Sequence, residues 1–193
     1  MSRIIGLKDL YIATLKTDVA TGTPATTYDT PIKLERAISA KITPKINTES
    51  VYSDDCLEET LSSFDSIDVE IGVNQLSIES RALLQGITQH NGEIAEGSED
   101  IAPYLALGFK SLKSNGKYMY VWLLKGKFEL AEDEYDTKAD KISSKTPSLK
   151  GTFGPRLSDN KYRIIADEEK AQAARITAWF TAVPAPLTAD VQP

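Results

Sequence analysis

The stretch from Tyr104 to Leu130 constrains this chain most. It reads as one long β-hairpin folded at Asn115-Gly116. Asn-Gly between two strand-forming runs is the strongest short-range hairpin signal, because a type I′ turn needs positive φ at both central residues. Such a two-residue turn sets Ser114 opposite Lys117. The pairs that follow are Lys113 with Tyr118, Ser111 with Tyr120, Phe109 with Trp122 and Leu107 with Leu124. Leu107, Phe109, Trp122 and Leu124 then form the expected hairpin core on one shared face. Cross-strand pairs of this kind contribute about 0.2–1 kcal/mol each over Ala–Ala. Strands this long exceed the usual length of about five or six residues. The surplus points to a sheet that continues beyond one subunit, and to assembly before catalysis.

The alternation from Ile32 to Thr48 supports this. Ile32, Leu34, Ile38, Ala40, Ile42 and Ile46 share one face, and Lys33, Lys41 and Lys45 stand on the other. Period two means a strand with one dry and one wet side. Arg36 interrupts the dry face, and Pro44 implies a bulge or an edge position. Asp65 to Val73 alternates again, with Ile67, Val69, Ile71 and Val73 inward and Asp68 and Glu70 outward. Leu7–Lys16, Ser143–Phe153 and Lys161–Ile165 read as further strands, with a turn at Asp159-Asn160 and a short strand at Gly92–Ala95. Two long excursions, Thr17–Pro31 and Thr48–Phe64, lie between strands and are expected to order on assembly. Each is either a functional loop or a plain surface loop.

Helices are few in this reading. One starts near Ser77, with Glu79 in its first turn, an apolar stripe of Leu76, Leu83, Leu84 and Ile87, and Gly86 near its end. A second is capped by Asp167 and carries Ile176, Trp179, Phe180 and Val183. A strand reading of Ile176–Ala182 stays open. The expected fold is mainly β (α+β), a single domain over residues 1–183 with a flexible Pro/Ala-rich tail over residues 184–193.

Composition narrows the function classes. The 193 residues are 41% hydrophobic and 26% charged, enough for one core without staples. The net charge is −6, which does not suit a protein that grips nucleic acid through clustered Lys and Arg. The single Cys56 excludes an internal disulfide framework and reads as a buried or incidental thiol. The only histidine, His90, has no motif around it. No phosphate-binding glycine loop, no Cys/His metal spacing and no EF-hand pattern around Asp54-Asp55 occurs, so neither catalysis, a metal nor a cofactor is expected. No secretory-type apolar segment follows Met1 and no run approaches membrane-span length. The expectation is a protein made in the cytoplasm that stays soluble until it meets a partner.

Several stretches resemble the major tail proteins, or tail tube proteins, of long-tailed bacteriophages and prophages. They are Gly6-Leu7-Lys8, Tyr52-Ser53-Asp54-Asp55, Pro103-Tyr104 with Gly108-Phe109, Tyr120-Val121-Trp122-Leu123 with Lys125-Gly126, and Thr146-Pro147 with Gly151-Thr152-Phe153. They cover most of the chain in order and fade after Ile165. The resemblance implies a β-sandwich or partial barrel flanked by a helix. It also implies hexameric rings that stack into a hollow tube, with strands from each subunit lining a shared inner barrel through which DNA passes at ejection. The implied setting is the virion, with tape-measure, tail-terminator and distal tail proteins as partners. A contractile-system tube is a close relative that the sequence does not separate.

Within that expectation, Asp68 and Glu70 are candidate lumen-facing residues, and the overall charge favours a negative lumen. Tyr52, Ser53, Asp54 and Asp55 form the candidate inter-subunit loop, with a plain surface turn as the alternative. Two competing readings are a soluble carbohydrate- or receptor-binding β-sandwich, stacking ligands on Trp122 and the tyrosines, and a hydrolase for which no constellation of residues is visible.

Overall fold

The computed structural model describes residues 2–21, 25–53, 56–131, 133 and 146–185. In chain order its elements are β1 (Ile4–Asp18), β2 (Thr26–Tyr28), β3 (Ile32–Lys33), β4 (Ala37–Ser53), β5 (Cys56–Val73), α1 (Ile78–Gln85), β6 (Gln89–His90), β7 (Glu93–Ile94), β8 (Leu105–Lys113), β9 (Tyr118–Phe128), β10 (Ser148–Gly154), β11 (Arg163–Asp167) and α2 (Ala173–Thr177). The fold is mainly β, as the alternation implied. Nine strands make one antiparallel sheet in the order β2-β1-β8-β9-β10-β5-β4, with β3 also on β1 and β11 also on β9. The sheet curls until β1 and β4 touch.

The hairpin β8–β9 lies at the sheet's centre, but its register is one residue away from the expected one. Lys113 N–H donates to Lys117 O at 2.8 Å, and Gly116 N–H donates to Lys113 O at 3.0 Å. Gly116 alone in the loop takes the left-handed conformation (φ +79°). The loop is therefore a three-residue turn closed by a glycine bulge, the other common hairpin connection. Asn115 contributes through its side chain, whose Oδ1 accepts from Lys117 N–H at 3.2 Å. Leu107 now faces Leu123, Phe109 faces Val121 and Gly108 faces Trp122. A one-residue slip moves a strand's side chains to the opposite face relative to its partner. The four expected core residues are all buried, but Leu107 and Phe109 lie on one face and Trp122 and Leu124 on the other.

Both faces are covered, which is why the slip leaves no apolar residue in water. Inside the curl, Leu107, Phe109 and Leu123 pack with Ile12 of β1, Ile67, Val69 and Ile71 of β5, Phe153 of β10 and Leu84 of α1. Outside it, Ala106, Tyr120, Trp122 and Leu124 pack under Trp179, with Ile176, Phe180 and Val183 alongside. Trp122 lies flat across Gly108, where an added Cβ would stand 2.7 Å from the ring. Its Nε1–H donates to Trp179 O at 3.0 Å. Phe180 stacks on Tyr11 at 4.5 Å. Replacing Trp179 by Ala removes the centre of this second core and should lower stability by about 3–5 kcal/mol. Urea titration followed by tyrosine fluorescence would measure it; a loss near zero would mean that the C-terminal segment is not packed on the sheet in solution.

The expected first helix is present. Ser77 is its N-cap, accepting from Ser80 N–H, and Gly86 closes it in the left-handed conformation (φ +74°). Glu35 adds a second cap from outside the helix, accepting from Ser77 N–H at 2.9 Å. The second helix is much shorter than expected. Asp167 ends β11 and caps nothing helical; α2 has five residues, and the apolar spacing after it is used by successive turns. Asp167 and Glu169 instead hold the buried Lys113 ammonium at 2.6 and 2.8 Å. Ile32–Thr48 is likewise not one strand. It breaks at Leu34–Arg36, and a bulge at Ala37/Ser39 turns Ile38 out to solvent.

The end of β1 is tied to the β10–β11 turn through Asp18. Its carboxylate accepts from Lys125 Nζ at 2.8 Å, Leu157 N–H at 2.9 Å and Ser158 N–H at 3.1 Å. Burial pushes this carboxyl up, but those hydrogen bonds outweigh it and hold it below its ordinary value. The unfolded value is about 3.9. The stabilisation is therefore full above that pH and is lost as the pH falls through the lower native pKa. Asp18→Ala leaves Lys125 and the N–H groups of Leu157 and Ser158 without their acceptor, and should remove about 1–3 kcal/mol at pH 7. It should also flatten the decline in stability below about pH 4. Denaturant titrations at neutral and acid pH check both; equal acid sensitivity in wild type and variant would count against the tie.

Candidate assembly surface

The hairpin β4–β5 outgrows the body. Strand β10 pairs with β5 only from Ile67 to Gly72. Beyond that point β4 and β5 continue alone, from Ile46 opposite Phe64 to Ser53 opposite Cys56. At a rise of about 3.3 Å per residue, this arm extends roughly 25 Å. A bulge at Lys45/Ile46 marks where it leaves. Residues 45–50 and 58–63 are exposed throughout. The arm is steadied at its root, where Phe64 stacks on Tyr162 at 4.3 Å between ring centroids. Ile46 and Leu61 stand in solvent, 61% and 49% exposed.

An isolated two-stranded hairpin is marginal in water. Both edges of the arm are unpaired among the described residues: the outer edge of β4, which ends the sheet, and the β5 edge past Ile67. Such edges present rows of unsatisfied N–H and C=O groups and template pairing with another chain. Pro44 removes one donor near the root and lies on the edge strand, one of the two placements expected of it; the bulge beside it has its extra residue on β5, at Asp65.

The segment expected as a loop from Thr48 to Phe64 is therefore strand for most of its length. Tyr52 and Ser53 end β4 at the tip of the arm, opposite Leu57 and Cys56. Asp54 and Asp55 lie outside the described residues. Cys56 is exposed rather than buried. Ile46 was legible only as the last apolar member of the Ile32–Thr48 alternation, and Leu61 only as part of a segment expected as loop, with nothing local to mark either as exposed.

Asp68 and Glu70 are on the wet face of β5, alternating with buried Ile67, Val69 and Ile71. Their neighbours across the sheet change the charge expected there. Lys41, Glu70 and Lys150 form one row, and Thr43, Asp68 and Thr152 the next. Lys45 Nζ lies 2.7 Å from Asp68, and that hydrogen bond raises the lysine's pKa. Glu129 closes a shallow basin of about 380 Å³ on this face. Three lysines and three carboxylates thus share it. The expected band of like negative charge is not present around Asp68 and Glu70, because each carboxylate lies beside a lysine.

Trp122 is fully buried beneath Trp179 and cannot serve as a stacking platform. His90 is exposed in the small β6–β7 hairpin. Among the described residues, no group of three His, Cys, Asp or Glu side chains is placed to hold a metal ion. No described helix is long and apolar enough to cross a membrane. No protein-family model matches the chain, and no curated protein matches it.

Proposed function

We propose that this chain is a structural subunit that self-assembles into stacked rings, six copies per ring, forming the tail tube of a long-tailed phage through which DNA is ejected. One observation carries the reading: a two-stranded arm leaves the body with both edges unpaired among the described residues and apolar residues in solvent. A monomer gains nothing from such an arm, whereas a neighbouring copy can pair its edges and cover Ile46 and Leu61. The resemblance of the turn and strand segments to tail tube proteins supplies the form of the assembly. The tape-measure, tail-terminator and distal tail proteins would be its partners in the virion.

The wet face of β4, β5 and β10 is the candidate lining of the tube. Its charges are balanced, so passing DNA would meet neither strong attraction nor strong repulsion there. Negative-stain microscopy and sedimentation of the purified full chain over a range of concentrations test the reading. Rings or tubes are expected; a chain that remains monomeric up to millimolar concentration would reject it.

A further inference from the structure

We infer that the fork between arm and body is the receptor for the arm of a second copy, engaged through Tyr104 and Lys127. This rests on the reading that copies of the chain assemble. The fork opens where β5 parts from β10, past Phe153 opposite Ile67. It encloses about 360 Å³ between Ser66 on the arm side and Tyr104, Lys127, Phe153 and Gly154 on the body side. The free edge of β5 begins at Ser66, on one side of the fork, so a strand entering there can add to the sheet by backbone hydrogen bonds.

The other wall has a defined chemistry. Tyr104 is 47% exposed, and Lys125 and Lys127 hold their ammonium groups 5.1 and 4.5 Å from its ring centroid. Lys125 is already bonded to Asp18. Lys127 makes no ion pair among the described residues, so it is the cation that can take a carboxylate. The floor has no side chain at Gly154, where an added Cβ would meet nothing within 4 Å.

The fork therefore fits an extended, acidic segment with an apolar residue nearby. The arm is such a segment: Glu49, Glu58 and Glu59 project from it beside Leu61 and Ile46, all exposed. Charge complementarity selects the arm of a neighbour as occupant, and the root of each arm then forms part of the receptor for the next.

Gly154→Leu projects a side chain into the fork from a position where an added Cβ meets nothing within 4 Å, and is the first test variant; Lys127→Gln is the second. Full-length chains labelled with ¹⁵N and ¹⁴N would be mixed and treated with a carbodiimide, which joins a lysine directly to a carboxylate in contact. Mixed-isotope links from Lys127 to Glu58, Glu59 or Glu49 are expected in the wild type and should be lost in both variants. Both variants should melt as the wild type does and need at least about tenfold more protein to assemble. Unchanged assembly of both variants would overturn the fork while leaving the tube reading intact, whereas a wild type that stays monomeric would remove both. Links from Lys127 only to carboxylates of its own copy, or Lys127-dependent retention of a single-stranded oligonucleotide, would also overturn it.

Discussion

A chain in which residues 46–65 are replaced by a two-residue Asn-Gly turn between Lys45 and Ser66 is expected to fold normally and to remain monomeric. Lys45 and Ser66 already face each other across the sheet, so a tight turn can join them. The body loses little. Residues 46–50 and 58–63 are exposed, and among the described residues the arm's one aromatic tie is Phe64 on Tyr162, an interaction worth about 0.5–1.5 kcal/mol beyond area burial. Thermal melting should shift by only a few degrees. Assembly should fail by more than about a hundredfold in concentration, equivalent to losing roughly 3 kcal/mol of association. Sedimentation velocity of both proteins, with circular dichroism as the folding control, reads the two effects separately. Rings formed at the wild-type concentration by the armless chain would show that the arm is ornamental to assembly and would take away the observation on which the tube reading rests.

The same arm shows where sequence patterns lose their force. Alternation is legible when one face of a strand is dry, as at Ile67, Val69 and Ile71, because burial then imposes the period. At residues 48–50 and 58–63 both faces are wet in the subunit, so no period is imposed and the segment reads as loop. Helix α1 was legible because its signals are local: a serine that caps and a glycine that stops it. The C-terminal residues misled for the opposite reason. Ile176, Trp179, Phe180 and Val183 have helical spacing, but their positions are set by the aromatic surface of β1 and β9 beneath them.

The hairpin register turned on a single choice between two turn geometries that both accept Asn-Gly. A further cue was present, since Tyr120 to Leu124 is apolar without a break. A central strand reads that way when both faces are buried, and that condition makes one shared face for Phe109 and Trp122 unnecessary. The outward direction of Asp68 and Glu70 followed from alternation along β5. Their lysine neighbours did not, because Lys41 and Lys150 come from strands about thirty and eighty residues away and meet Glu70 only through the sheet order.

Those neighbours set the expected result of reversing both carboxylates. Asp68→Lys with Glu70→Lys changes the shared face from three cations against three anions to five against one. The subunit should still fold, since Asp68 and its partner Lys45 are both well exposed and surface pairs of this kind contribute little. Around a ring, the face would become a band of closely spaced ammonium groups. Phosphates bind such a band by releasing counterions, so the attraction should be strong at low salt and fall steeply as salt rises. Tubes of the double variant should therefore form, yet eject DNA at least about tenfold more slowly in low salt and recover toward the wild-type rate near 0.5 M, where screening shortens to roughly 4 Å. A charge-neutral variant, Asp68→Asn with Glu70→Gln, separates attraction from simple loss of the pairs: it leaves three cations against one anion and should slow ejection less. Ejection at the wild-type rate by tubes carrying both lysines would place this face on the outside of the tube, because a lining that DNA touches cannot gain that much positive charge without holding it.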